Sequence, residues 1–343
     1  MRPSDEELEE LASSVSLKLV EGDAISLEGA YAYKIPISLP CKVYILDCIE
    51  GREVASKPEL VGEEFLKANY NAALKAAKLV VDLLDPDTPK LLLHILRGSP
   101  GYRLHDALRS IGVDYREIWV RPRYLIGGFR DHRERRIEVV YESYRDLQGL
   151  EHVECDLIVA DTIATGTTLS ASLSRVLGKL KSLGLTVKDT VVYGFMSLEG
   201  IRNSLDAMGR LGQRVFIALE DVTALAENMY DMPLYGVDET TYARRRVLRS
   251  IGGITVLEAF RGMVASYAPG MDQPGDWSER QPLLYTGENN EKGDIKGHLK
   301  RSLETLRRLR PLTRRAEWYR EWMDEIFSAR EKAITEAITR INT

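Results

Sequence analysis

Between Cys155 and Ser170 the chain reads CDLIVADTIATGTTLS, where a carboxyl (Asp161), three hydroxyls (Thr165, Thr167, Thr168) and a bare backbone position (Gly166) fall within eight residues. Hydroxyls and unpaired N–H groups at a helix start attract phosphate, and glycine lets the backbone approach the anion closely. A polar loop with a Thr or Ser cap is also what any strand-to-helix connection carries, so on pattern alone the two readings stand level. A second candidate is Arg97-Gly98-Ser99-Pro100-Gly101. A guanidinium beside small residues suits bidentate contact with a pyrophosphate, and equally suits a surface position before a tight turn.

Both candidates sit where a strand hands over to a helix. Leu157, Ile158 and Val159 form the short continuous apolar run that a strand buried on both faces requires, with Asp161 at its carboxyl end. After Gly166, residues Leu169, Leu173, Val176, Leu177, Leu180 and Leu183 recur at helical spacing until Gly184. Leu91 to Leu96 predicts a second buried strand, with His94 as a hydrogen-bonded core residue, and Leu104, Ala107 and Leu108 mark the helix after it. Phe65 to Leu84 is an amphipathic helix ended by Asp85-Pro86-Asp87. Val187 to Met196 and Arg214 to Leu219 are further strands, the second followed by Glu220-Asp221. This alternation predicts a doubly wound α/β fold, a mostly parallel sheet with helices on both faces and ligands at the strands' carboxyl ends.

Composition narrows the partners. Across 343 residues, 47 Lys and Arg against 52 Asp and Glu leave a net charge of −5, which gives no global drive toward nucleic acid or an anionic membrane. Cys41, Cys48 and Cys155 are too few and too scattered for a disulfide framework or a zinc site, which favours a reducing compartment. The acidic start MRPSDEELEE lacks an apolar signal core and no run approaches membrane-spanning length, so a soluble cytoplasmic protein is expected.

The ordered string of apolar strand, Asp161, Thr162-Ile163-Ala164-Thr165-Gly166-Thr167-Thr168 resembles the 5-phosphoribosyl-1-diphosphate (PRPP) loop of type I phosphoribosyltransferases. The resemblance implies a 5′-phosphate on Ala164 to Thr168 and ribose hydroxyls on the acids at the loop's start. The family usually has two adjacent acids; Ala160 stands at the first position here. ILRGSPGYRLHDAL resembles the pyrophosphate loop of the uracil phosphoribosyltransferase branch, which assigns Arg97 and Gly98 to the diphosphate. Glu117 to Tyr144 falls where the family places a mobile hood, and by the resemblance Arg121 is the second diphosphate-binding arginine, with Arg123 the alternative. Gly127-Gly128 predicts a hairpin turn there, with Arg130, Arg133, Arg135 and Arg136 on its arms. A solvated edge hairpin or a contact with nucleic acid fits those arginines too.

Ser197-Leu198-Glu199-Gly200 resembles an Ala-Pro-Glu-Gly turn of the uracil enzymes, and Ser266 to Asp276 resembles their base-recognition loop. By that resemblance Tyr267 offers backbone to the base, and Asp272, Gln273 and Pro274 replace Gly-Asp-Ala, with Gln273 where the family has an aspartate. The resemblance spans about residues 62–287, except an insertion at 228–262. Residues 1–61 read as an added helix and edge strands, with Pro36 and Pro40 confining the first strand to an edge. Residues 288–343 read as helices used for packing or dimerisation, with a stripe at Leu299, Leu303, Leu306 and Leu309 beside the basic Lys300, Arg301, Arg307, Arg308 and Arg310.

The resemblance implies transfer of the phosphoribosyl group of PRPP to a nucleobase, uracil-like and so in pyrimidine salvage, with release of pyrophosphate. Asp161, Arg97 and Arg121 would carry catalysis. Mg2+ would arrive with PRPP and have no direct protein ligand. PRPP and a nucleobase or nucleoside monophosphate would be the ligands of a homo-oligomer, a homodimer in its simplest form. The rival reading is a non-catalytic nucleotide or PRPP sensor touching RNA through the hairpin or tail.

Overall fold

The apolar runs do become strands, and the carboxyl ends of the parallel ones deliver their loops to one edge of the sheet. A computed structural model describes residues 3–124, 137–150, 152–209 and 212–342. Nine strands, β1 (Asp23–Leu27), β2 (Ala30–Ile35), β3 (Lys42–Cys48), β4 (Lys90–Ile95), β5 (Arg116–Tyr124), β6 (Ile137–Ser143), β7 (Glu154–Ala160), β8 (Thr186–Ser197) and β9 (Arg214–Thr223), lie in the order β1-β2-β3-β9-β8-β7-β4-β5-β6. The inner six are parallel, and antiparallel strands close both margins. Two short strands, Lys18–Leu19 and Ile254–Thr255, attach beside β9.

Side-chain alternation along the inner strands divides the core into two layers. Ile158, Leu92 and Ile217 pack on one face with Phe65, Ala72 and Ala76 of α1 (Gly62–Leu83) and Leu104 and Leu108 of α2 (Leu104–Ser110). Leu157, Val159, Leu91 and Phe216 pack on the other with Leu173, Val176 and Leu180 of α3 (Thr167–Ser182) and Ile201 and Leu205 of α4 (Leu198–Met208). The result is the doubly wound arrangement. From β4 the chain passes to β5 on one side, while β7, β8 and β9 run off the other, so the strand order reverses between β4 and β7. A crevice forms outside the carboxyl ends at such a reversal. Here those ends lead into Arg97 and Asp161.

Two expectations change. Lys42–Cys48 is no added edge: it pairs in parallel with β9 from Lys42↔Val215 to Leu46↔Leu219, inside the sheet, because Val43 to Cys48 are all apolar or paired and buried. Ala30–Ile35 likewise lies between two strands, and Pro36 follows its last residue instead of interrupting it. The leucine stripe of α5 (Ile295–Thr313) is buried within this chain, where Leu299, Leu306 and Leu309 join one core with Met232, Leu234 and Tyr235 of the 228–262 segment.

The four arginines of α5 are paired within the chain: Arg301 with Asp276, Arg307 with Glu331, Arg308 with Glu239 and Arg310 with Asp324. Gly127-Gly128, Arg130, Arg133, Arg135 and Arg136 lie outside the described residues, although the flanking strands pair antiparallel as far as Tyr124↔Ile137. Among the described residues, no helix is long and apolar enough to cross a membrane.

Candidate functional site

At the reversal point, one cleft is lined by Arg97, by Thr162 to Leu169 and by a loop that includes Asp272, Pro274 and Asp276 to Glu279. The three stretches are separated widely in sequence, and the first two meet because β4 and β7 are neighbours.

The phosphate-sized loop is held from behind. Ser197 N–H donates to the Ile163 carbonyl at 3.0 Å, Ser197 Oγ to the Ala164 carbonyl at 2.5 Å and Asn203 Nδ2 to the Thr165 carbonyl at 2.8 Å. With three successive carbonyls tied to the start of α4, the loop's other side is turned to the cleft. Gly166 adopts φ +76°, and the first N–H groups of α3 follow it without intrahelical acceptors. Thr165 Oγ1 and Thr167 Oγ1 are 2.7 Å apart, and Tyr124 Oη lies 2.9 Å from Thr168 Oγ1, which ties the end of β5 to the loop. The arrangement suits an anion: oriented N–H groups, hydroxyls and the positive end of a helix face the cleft.

Asp161 is nearly buried, and that burial pushes its carboxyl up to about 7, against a smaller opposing effect of the Thr162 backbone N–H. Ala160 packs in the core, and its carbonyl accepts the Ser99 hydroxyl at 2.5 Å, so the turn after β4 is stitched to β7 at the position where a first acid was expected. Thr162 Oγ1 lies 2.6 Å from Tyr102 Oη, and the Tyr102 ring stacks on Trp277 at 4.1 Å. Trp277 Nε1 donates to the Gly98 carbonyl at 3.0 Å. Tyr102 and Trp277 thus join all three walls, a role for which their positions along the chain carried no signal.

Arg97 lines the cleft, yet its guanidinium is paired with Glu279 at 3.2 Å and Glu291 at 2.6 Å. The peptide bond between Leu96 and Arg97 is cis. Arg121 is not among the residues lining the cleft; its Nη1 donates to the Thr286 carbonyl at 3.4 Å.

The loop expected to read a base divides. Asp272 and Pro274 line the cleft, whereas Tyr267 and Gln273 are buried beneath it. The Tyr267 hydroxyl donates to the Met271 carbonyl at 2.5 Å and accepts the Leu234 N–H at 3.0 Å. Gln273 Nε2 donates to Asp221 Oδ1 at 2.9 Å, and burial pushes Asp221 up to about 8. Beneath the same loop, fully buried Arg280 donates to the carbonyls of Val54, Lys57, Leu60, Gln273 and Pro274 at 3.0 to 3.4 Å. Its burial pulls the guanidinium down to about 10, still protonated at neutral pH. In the sequence Arg280 looks like one more surface charge beside Glu279. Tyr230, from the 228–262 segment, completes the cleft wall.

No family model matches the chain, and no curated protein does. Among solved structures it is similar to a hypoxanthine phosphoribosyltransferase from Staphylococcus aureus, at 17% identity over 46% of this chain and 76% of that one, with a TM-score of 0.30. An adenine phosphoribosyltransferase from Trypanosoma brucei, in complex with AMP, pyrophosphate and ribose-5-phosphate, shares 15% identity over 51% of this chain and 83% of that one, with a TM-score of 0.32. A hypoxanthine-guanine phosphoribosyltransferase from L. donovani shares 21% over 47% and 80%, with a TM-score of 0.29. All three are named for purine bases.

Proposed function

We propose that the protein is a phosphoribosyltransferase that moves the phosphoribosyl group of PRPP to a nucleobase and releases pyrophosphate. The observation that carries this reading is the opening of two anion-suited elements, the start of α3 and the Arg97 turn, onto one cleft at the strand reversal. A 5′-phosphate on Ala164 to Thr168 and a diphosphate at Arg97 leave the sugar between them, next to Thr162 and Asp161. A nitrogen of the acceptor forms a bond to C1 as the C1–O bond to the diphosphate breaks; the diphosphate carries away the electron pair, and the proton displaced from that nitrogen passes to solvent. No protein side chain is needed as a covalent nucleophile.

The chain's contribution is positioning and electrostatics. Arg97 offsets negative charge gathering on the leaving group; Arg121, given the same role by the resemblance, stands off the cleft on the Thr286 carbonyl. Ionised Asp161 stabilises positive charge developing on the sugar. The acids facing the cleft already have partners: Asp272 accepts the Met232 N–H, Asp276 pairs with Arg301 and Glu279 with Arg97. That arrangement suits a Mg2+ held by the diphosphate oxygens, where it would neutralise their charge. Asp272, Pro274 and Tyr230 face the acceptor; a uracil-like pyrimidine remains the first acceptor to try, in a cytoplasmic homo-oligomer acting in pyrimidine salvage.

A second reading, a non-catalytic PRPP or nucleotide sensor, is favoured by Ala160 in the place of an acid and by the carboxylates already on Arg97. Calorimetric titration with ribose 5-phosphate, pyrophosphate and PRPP tests the shared premise. Both fragments should bind, and PRPP more tightly than either; no heat with ribose 5-phosphate or PRPP would defeat both readings.

A further inference from the structure

Two carboxylates hold the Arg97 guanidinium, and they are held differently themselves. Glu279 is 11% exposed and accepts on both sides: from Arg97 Nη2 at 3.2 Å and from the Asp294 N–H at 2.6 Å. Asp294 in turn caps α5, its Oδ1 accepting the Gly297 N–H at 2.9 Å. Glu279 is therefore fixed to a helix start. Glu291 is 46% exposed and reaches Arg97 Nη1 at 2.6 Å from the end of a hairpin that pairs Leu284–Tyr285 with Asn290–Glu291.

That hairpin has other anchors. The Tyr285 ring meets Trp119 edge-on at 5.4 Å, and Arg121 Nη1 donates to the Thr286 carbonyl at 3.4 Å. The hairpin can stay in place while the Glu291 side chain turns away. Charge gives the reason for it to turn. Arg97 is the only basic side chain among the described residues lining the cleft, which also presents Asp272, Asp276 and Glu279. An entering diphosphate needs the same donors that Glu291 uses and is repelled by its charge.

We propose that the two glutamates have opposite roles toward a diphosphate: Glu279 positions Arg97, while Glu291 occupies the diphosphate's place on the guanidinium and leaves it on binding. This rests on the reading of Arg97 as the diphosphate ligand. Affinity at this end of the cleft is then set below what Arg97 alone would give, and substrate entry exchanges one anion for another.

The test is titration of inorganic pyrophosphate, and separately of ribose 5-phosphate, into the full chain and its Glu291→Gln and Glu279→Gln variants. Pyrophosphate should bind roughly two- to tenfold more tightly to Glu291→Gln, the range expected for removing a half-exposed competing ion pair, and more weakly to Glu279→Gln. Ribose 5-phosphate should bind all three alike, which a general structural fault in Glu279→Gln would not allow. Adding Arg97→Ala to Glu291→Gln should erase the gain. Equal or weaker pyrophosphate binding by Glu291→Gln would overturn the proposal and leave the phosphoribosyl reading standing. No pyrophosphate binding by any of the proteins, with ribose 5-phosphate still bound, would overturn it together with the role given to Arg97.

Discussion

The carbonyl oxygen of Gly200 lies 2.6 Å from the point where a Cβ on Gly166 would stand, so the anion loop rests on the start of α4 with no room for a side chain between them. The closeness is mutual. A Cβ on Gly200 would come within 2.5 Å of the Ile163 carbonyl oxygen and 2.7 Å of that of Ala164. Gly200→Ala should therefore push the loop from behind and weaken ribose 5-phosphate binding by about tenfold or more, although Gly200 does not line the cleft. Calorimetry on the variant checks this, with a stability loss of about 1–3 kcal/mol expected alongside.

Asp161 gives a pH dependence of defined sign. Its folded carboxyl titrates near 7 against an ordinary 3.8, because burial disfavours the charge. The folded state binds the extra proton between those values, so its stabilising effect is complete below about 4 and is lost as pH rises through 7. Asp161→Asn should be more stable relative to the parent at pH 8 than at pH 5, by roughly 2–4 kcal/mol. Urea unfolding at both pH values measures the difference. Because the ionised form is the one that stabilises the sugar's charge, kcat/KM should rise with pH to a plateau above about 7, and this limb should vanish in Asp161→Asn.

Gln273 belongs to the support of the cleft and not to its lining. Gln273→Asp would set a second carboxyl beside buried Asp221, whose own ionisation is already disfavoured. The variant should lose about 1–3 kcal/mol of stability at pH 8 and leave the preference among bases unchanged. Denaturant unfolding and a comparison of bases check the two halves.

Arg97→Ala should weaken PRPP by about 2–3 kcal/mol, the range for removing a charge-assisted hydrogen-bonding partner from a partly dry site, and leave a nucleoside monophosphate almost unaffected. Titration of both ligands into the variant measures the split, and equal weakening would make the arginine structural.

Much of this was legible in the sequence because it depends on local rules. The run Leu157 to Val159, the glycine at 166 and the spacing from Leu169 to Leu183 are enough to predict strand, turn and helix, and with them the loop that lines the cleft. What depended on distant partners was not legible. Whether Gln273 faces a ligand or Asp221 is decided by a strand 52 positions away. Arg280 and Glu279 are adjacent charges in the chain, yet one is a buried staple under five carbonyls and the other turns to Arg97. Lys42–Cys48 looked like an edge because its neighbour in space, β9, comes from the far half of the chain.

The most direct test of phosphoribosyl transfer is pyrophosphate release from PRPP with Mg2+, measured across a panel of pyrimidine and purine bases for the parent protein and Asp161→Asn. At least one base should drive release well above the base-free rate, with a nucleoside monophosphate formed in equal amount, and Asp161→Asn should lose most of it at pH 8. Tight PRPP binding with no base-dependent release from any base would contradict the account and leave a binding protein in its place.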